Sequence, residues 1–132
     1  VSRAFLPTML QQQSGVIMNV SSGVGRKGRA NWGPYAVSKF AVEGLTQVLA
    51  EEIGPQGLAC VAVNPGATRT DMRAAAYPDE DPMTLPSAEA IAEAFLRIAA
   101  LDSPEINGKS IDAREIVADL LQKPVSVSTA PG

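Results

Sequence analysis

Apolar residues at Val1, Phe5, Leu6, Met9 and Leu10 recur at the spacing of one helical face. The spacing predicts a helix over residues 1–13, with Pro7 as its discordant position. Directly after it, Gly15-Val-Ile-Met-Asn-Val-Ser21 is a short, mostly apolar, β-branched run, the pattern of a strand covered on both faces in a parallel sheet. From Ser21 to Gly33 the composition shifts to Ser, Gly, Arg and Asn, which is loop. Pro34 stands where proline is best tolerated, in the first turn of a helix that runs to Ile53 before Gly54-Pro55 ends it. This helix reads as carrying little charge before Glu51.

A second unbroken apolar run, Leu58 to Val63, is closed by the turn signal Asn64-Pro65-Gly66. Residues 67–86, punctuated by Pro78, Pro82 and Pro86, predict a long mobile loop. Ser87 is an N-cap for a helix that places Ile91, Ala94, Phe95 and Ile98 on one face. A third strand around Ser110-Ile111 follows the Asn107-Gly108 turn, a last helical piece covers Arg114 to Gln122, and the Ser/Pro-rich tail beyond is flexible. Helix and strand thus alternate along the chain, which predicts an α/β fold with a parallel sheet and right-handed crossovers. Ligands of such sheets bind beyond the carboxyl ends of the strands, so the loops after Ser22 and Asn64 are expected to face one site.

Composition narrows the chemistry. The 132 residues suit one domain or part of one, and the opening Val1 suggests a processed or truncated product. With 11 Lys+Arg against 14 Asp+Glu the net charge is -3, the wrong balance for nucleic acid. Histidine is absent and Cys60 stands alone, which excludes histidine acid/base catalysis, His/Cys metal clusters and an internal disulfide, and suits a reduced cytoplasmic setting. The uncharged stretch from Ala4 to Gly25 is interrupted by Pro7 and by polar residues, and reads as neither a membrane span nor a signal peptide.

Tyr35 and Lys39, four apart in a helix, share one face, and an ammonium beside a phenol favours the phenolate, a form suited to proton transfer. Ser22, thirteen residues before Tyr35, supplies a hydroxyl that a folded-back loop can bring to the same oxygen. The same pair also suits a plain surface helix with an amphipathic tyrosine and a snorkelling lysine.

Taken in order, Asn19-Val-Ser-Ser-Gly23, Tyr35-Ala-Val-Ser-Lys39 and Asn64-Pro-Gly-Ala-Thr-Arg-Thr70 make the chain resemble the short-chain dehydrogenase/reductase family. Gly28-Arg-Ala-Asn-Trp-Gly33 is similar to a sparsely characterised bacterial oxidoreductase subgroup of it. The resemblance implies the C-terminal half of a Rossmann-like doubly wound parallel sheet, about three strands with flanking helices, over residues 1–123, with 124–132 as a tail. It implies NAD or NADP as cofactor and a small alcohol or carbonyl compound as substrate. Tyr35 then acts as general acid/base, Ser22 steadies the substrate oxygen, and Lys39 holds the nicotinamide ribose. Pro65 and Gly66 form the turn along the nicotinamide, Thr70 hydrogen-bonds the cofactor, and Asn19 is structural. The family's glycine-rich fingerprint, its Asn-Asn-Ala-Gly segment and its catalytic asparagine have no counterpart in this sequence, so little activity is expected of these residues alone. The resemblance further implies a homodimer or homotetramer, for which the row Val37, Ala41, Leu45 and Val48 is suited, as it is for packing on the sheet. Epimerase or dehydratase chemistry on the same fold, and a non-catalytic interaction module with an exposed sheet edge, are the competing functions.

The remaining conspicuous residues have plainer readings. Arg26, Lys27 and Arg29, and likewise Asp79-Glu80-Asp81, read as solvated loop charges. Arg69 and Arg73 are either solvated or partners of a substrate carboxylate or cofactor phosphate, Trp32 lines a pocket or anchors its loop, and Cys60 is an inert core residue.

Overall fold

The structure, a computed structural model, describes residues 1–122, so the expected tail lies outside the described residues. Helix α1 (Ser2–Gln12) contains Pro7 and forgoes the bond that residue would donate one turn back; it ends at Gln13, whose φ of 51° is left-handed. Strands β1 (Val16–Val20), β2 (Ala59–Asn64) and β3 (Ser110–Asp112) form a parallel sheet in that order, with Met18 beside Val61 and Val63 beside Ile111. The α/β class and the three strands agree with the sequence.

Alternation along β2 explains the layering. Ala59, Val61 and Val63 face one side, where α4 (Ala88–Ala99) and α6 (Ala113–Gln122) bring Ile91, Ala94, Ile98, Ala113 and Val117. Leu58 and Cys60 face the other, against Ala50 and Ile53 of α2 (Gly33–Ile53) and against Leu6, Met9 and Leu10 of α1. Leu58, Val61, Val63 and Ile98 are fully buried, each contributing about 1.5–3 kcal/mol relative to exposure. Cys60 is buried as expected, and burial pushes its thiol up from its ordinary range. Among the described residues no helix is long and apolar enough to cross a membrane.

Three expectations need correction. Strand β1 is only half-buried, because it pairs with β2 alone and forms an edge of the described sheet. The predicted loop 67–86 holds a helix, α3 (Asp71–Ala76), and a 3-10 turn at Pro82–Thr84. A further short helix, α5 (Ser103–Ile106), precedes β3. Between α5 and β3 the Asn107-Gly108 turn is present: the Asn107 side chain accepts from the Cys60 N–H at 3.0 Å and donates to the Ala50 carbonyl at 2.9 Å, clipping β2 to α2. Ser87 caps α4 as predicted, its Oγ accepting from the Ala90 N–H at 3.2 Å.

Candidate active site

The three strands end together, and the residues singled out in the sequence lie at those ends. Ser21 and Ser22 leave β1 in extended conformation. Ser21 is 3% exposed and its Oγ donates to Glu43 Oε1 at 2.5 Å, so its hydroxyl is committed to the interior. Ser22 is only partly covered and caps a 3-10 turn, Gly23–Gly25, its Oγ accepting from the Val24 N–H at 3.4 Å. A side chain on Gly25 would come within 2.8 Å of the Lys39 carbonyl, so only glycine lets this turn lie directly on α2.

On α2, Pro34 opens the first turn and Tyr35 follows, 45% exposed. One turn on, the Lys39 Nζ sits 5.7 Å from the Tyr35 ring centroid and donates to the Val20 carbonyl at 2.9 Å. An ammonium has three donors, so two remain for a ligand. The Trp32 ring meets Tyr35 edge-on, with centroids 5.7 Å apart, a contact that ties the loop before α2 to the tyrosine. Among the described residues the Tyr35 hydroxyl makes no hydrogen bond, and Ser22 and Tyr35 do not bond each other.

The turn after β2 belongs to the same end. The Asn64 side chain accepts from the Gly66 N–H at 3.0 Å and donates to Asp112 Oδ1 at 2.7 Å, fixing the Pro65-Gly66 turn. Gly66 has φ +69° and lies under Arg114, whose Cδ would be 2.5 Å from any Cβ there. Thr70 opens α3, its Oγ1 accepting from the Arg73 N–H at 3.2 Å. It also lines a cavity of about 170 Å³ with Arg69, Arg73, Tyr77, Glu80 and Leu85. Thr70 is thus joined to the segment 67–87 rather than to Ser22, Tyr35 and Lys39.

Some of the loop charges read as solvated are bonded, Arg26 and Glu80 above all, while Lys27, Arg29 and Asp79 are exposed as expected. Arg26 Nη1 pairs with Asp112 Oδ2 at 2.9 Å, its Nε donates to Ser110 at 2.8 Å, and the same nitrogen lies 3.6 Å from Glu43. The bond from Arg26 holds the Asp112 carboxyl below the usual carboxylate range, and the same bond raises the guanidinium. Arg73 grips Glu80 with two bonds, 2.7 and 2.9 Å, and its guanidinium lies 3.8 Å from the Tyr77 ring centroid. Arg69 donates to the Pro82 and Leu85 carbonyls. These arginines brace the loop from within, which leaves them little capacity for a carboxylate or phosphate. Among the described residues no group of metal-ligating side chains occurs.

Sequence reasoning missed Glu43. It is 8% exposed on a helix read as nearly uncharged, and its one signal is its place four residues after Lys39.

Comparison with known proteins gives a consistent picture. The family model described as short chain dehydrogenase matches residues 1–81. The uncharacterized oxidoreductase YciK of Escherichia coli K12 is 46% identical over 114 residues, covering 86% of this chain and 45% of that protein. A short chain dehydrogenase from Salmonella enterica serovar Typhi superposes with a TM-score of 0.77 at 46% identity, covering 86% of this chain and 46% of the other. One from Shigella flexneri 2a, solved in complex with NADP, gives 0.76 at 47% identity, covering 86% and 47%. The chain spans about half the length of these relatives.

Proposed function

The chain belongs to the short chain dehydrogenase family, and from that premise we propose that it carries the proton-transferring side of an NAD(P)-dependent oxidoreductase acting on a small alcohol or carbonyl compound. The observation that carries the reading is the Tyr35 hydroxyl and the Ser22 hydroxyl hydrogen, neither bonded among the described residues, beside the Lys39 ammonium at the strand ends. This donor set fits a substrate oxygen and the ribose hydroxyls of a nicotinamide nucleotide. When bound, the nucleotide supplies or accepts the hydride.

The protein's own residues do the rest. Tyr35 exchanges a proton with the substrate oxygen, and Ser22 donates to that oxygen and stabilises the charge that develops on it. Lys39 holds the ribose with the donors left over from Val20 and sets positive charge beside the phenol. Pro65 and Gly66 lie along the nicotinamide, and Thr70 hydrogen-bonds the cofactor from the start of α3. The NADP bound by the Shigella flexneri relative favours NADP over NAD. We read residues 1–123 as the catalytic part of a longer cytoplasmic Rossmann domain, inactive by itself.

The test uses protein expressed from its complete gene, with NADPH oxidation against a panel of aldehydes and ketones. Tyr35→Phe is expected to lower turnover about a hundred- to ten-thousand-fold with NADPH binding unchanged. Full activity in that variant overturns the assignment.

A second reading rests on the outer face of α2. Val37, Phe40, Leu45 and Val48 are between 48% and 70% exposed, with Ala41 in the same strip, so this row packs on no part of the sheet. Such a strip suits pairing with a second copy, as a homodimer or homotetramer of the enzyme or as the working surface of a non-catalytic module. Light scattering that finds a monodisperse monomer at high concentration overturns both forms.

A further inference from the structure

Three residues of α2 engage the end of β1, one for each of three successive positions. Asn19 donates to Thr46 Oγ1 at 3.0 Å, the Val20 carbonyl accepts from Lys39 Nζ at 2.9 Å, and Ser21 donates to Glu43 at 2.5 Å. Ser22 comes next. The central member of this set is a carboxylate, and burying one is costly unless donors surround it. Glu43 Oε1 receives Ser21 Oγ and, at 2.9 Å, Ser110 Oγ, with Arg26 Nε at 3.6 Å.

The donors belong to a longer chain of bonds. Ser110 gives its hydrogen to Glu43 and accepts from Arg26; Arg26 pairs with Asp112; Asp112 accepts from Asn64; and Asn64 accepts from the Gly66 N–H. One network therefore runs from Ser21 to Gly66 across the ends of all three strands. It grips the Ser22 turn on both sides, at Ser21 and at Arg26, and it reaches the turn after β2. A carboxylate only accepts, so both serines must point their hydrogens at it, and Ser21 cannot compete with Ser22 for the substrate oxygen.

We propose that Glu43 is a positioning residue, which through Ser21 and the Arg26–Asp112–Asn64 chain sets Ser22 and the Val20 carbonyl against Tyr35 and Lys39. The inference rests on the oxidoreductase reading above for its effect on turnover, and on geometry alone for its effect on Lys39.

The experiment compares Glu43→Ala in two backgrounds of the protein from its complete gene, wild type and Ser22→Ala, with NADPH and para-nitrobenzaldehyde as the probe pair. In the wild-type background kcat is expected to fall about 10- to 100-fold with KM little changed, since a small misplacement of reacting groups is enough. In the Ser22→Ala background the same change is expected to cost clearly less, because the part of its effect that passes through Ser22 is already lost and only the part through Val20 and Lys39 remains. Glu43→Gln, which keeps the accepting oxygen, is expected to restore most of the loss. An equal fold-loss in both backgrounds overturns the proposal, as a purely structural role predicts. Ser21→Ala, which keeps the carboxylate and removes one donor, repeats the comparison with a smaller loss should Glu43→Ala fail to fold.

A second readout needs no turnover. Acylation of Lys39 by acetic anhydride, followed by peptide mass spectrometry, is expected to quicken in Glu43→Ala as the Val20 carbonyl loosens, and an unchanged rate overturns the proposal. Should Ser22→Ala and Tyr35→Phe both keep full turnover, the oxidoreductase reading falls, while the labelling result still decides the role of Glu43.

Discussion

The turn that follows β1 and the segment between Gly66 and Ser87 both leave the carboxyl ends of strands, yet they are held in unlike ways. The first is locked from inside: Ser21 and Glu43 are nearly inaccessible, and Arg26 reaches over them to Asp112. The second is braced by the Arg73–Glu80 pair, with side chains 28% and 30% exposed, much as Arg26 and Asp112 are at 33% each, and by Arg69 on two backbone carbonyls, so what sets the first apart is the buried Ser21–Glu43 bond. Buried polar bonds are costly to leave unmade, whereas accessible ion pairs are weakened by water and salt. The first device fixes a position; the second fixes a shape that can yield without unfolding the domain.

Substitutions on either side of this divide should therefore differ in kind. Arg26→Met strips Glu43, Ser110 and Asp112 of a shared donor and, its bonds being partly open to water, is expected to destabilise the fold by about 1 kcal/mol in chemical denaturation. A loss below a few tenths shows that the network is less coupled than its geometry. Ser87→Ala removes the cap where the outer segment joins α4 and is expected to cost about 1 kcal/mol, read as a lower thermal midpoint.

Acid should act on both regions. The Asp112 carboxyl is lowered first by its bond from Arg26, and the Glu80 carboxyl first by its bond from Arg73. A carboxylate lowered on folding adds stability above the unfolded carboxyl range, and that contribution is lost as pH falls through the lowered value. Thermal midpoints are thus expected to hold from neutral pH down to the ordinary carboxylate range and to fall below it, with Asp112→Asn flattening the acid limb. The smallest effect is expected for Arg73→Met, which lowers the thermal midpoint less than any of the changes above but speeds limited proteolysis between residues 67 and 87, as added salt does in the wild type. A fall in its midpoint as large as that of Arg26→Met places that segment with the core instead.

Much of this arrangement is legible in the sequence, because its signals are local. The Leu58–Val63 run, the Ser87 cap and the Tyr35–Lys39 spacing each need only a few neighbouring residues to be read, and all appear in the structure where expected. Helix α3 has local signals too, Thr70 as cap and Asp71 in the first turn, but the surrounding prolines outweigh them. What escapes is the pairing of distant charges. Glu43 meets Ser21 across 22 residues and Ser110 across 67, and Arg26 finds Asp112 across 86. No periodicity links such positions, so Arg26, which reads as a solvated loop charge, turns out to be tied to Asp112, and Glu43 goes unread. Strand β1 misleads for a similar reason: an apolar strand reads as covered, while coverage depends on which strands flank it.

Trp32 is the only tryptophan in the chain, and its ring touches Tyr35 edge to face. Within these residues all indole emission therefore originates beside the proposed proton donor. Reduced nicotinamide absorbs where indole emits, so a nucleotide arriving next to Tyr35 should drain that emission by energy transfer. If nucleotide binds as proposed, Trp32 is an optical reporter of its arrival, and comparing the titration with that of Trp32→Phe isolates its share of the signal before any substrate is known.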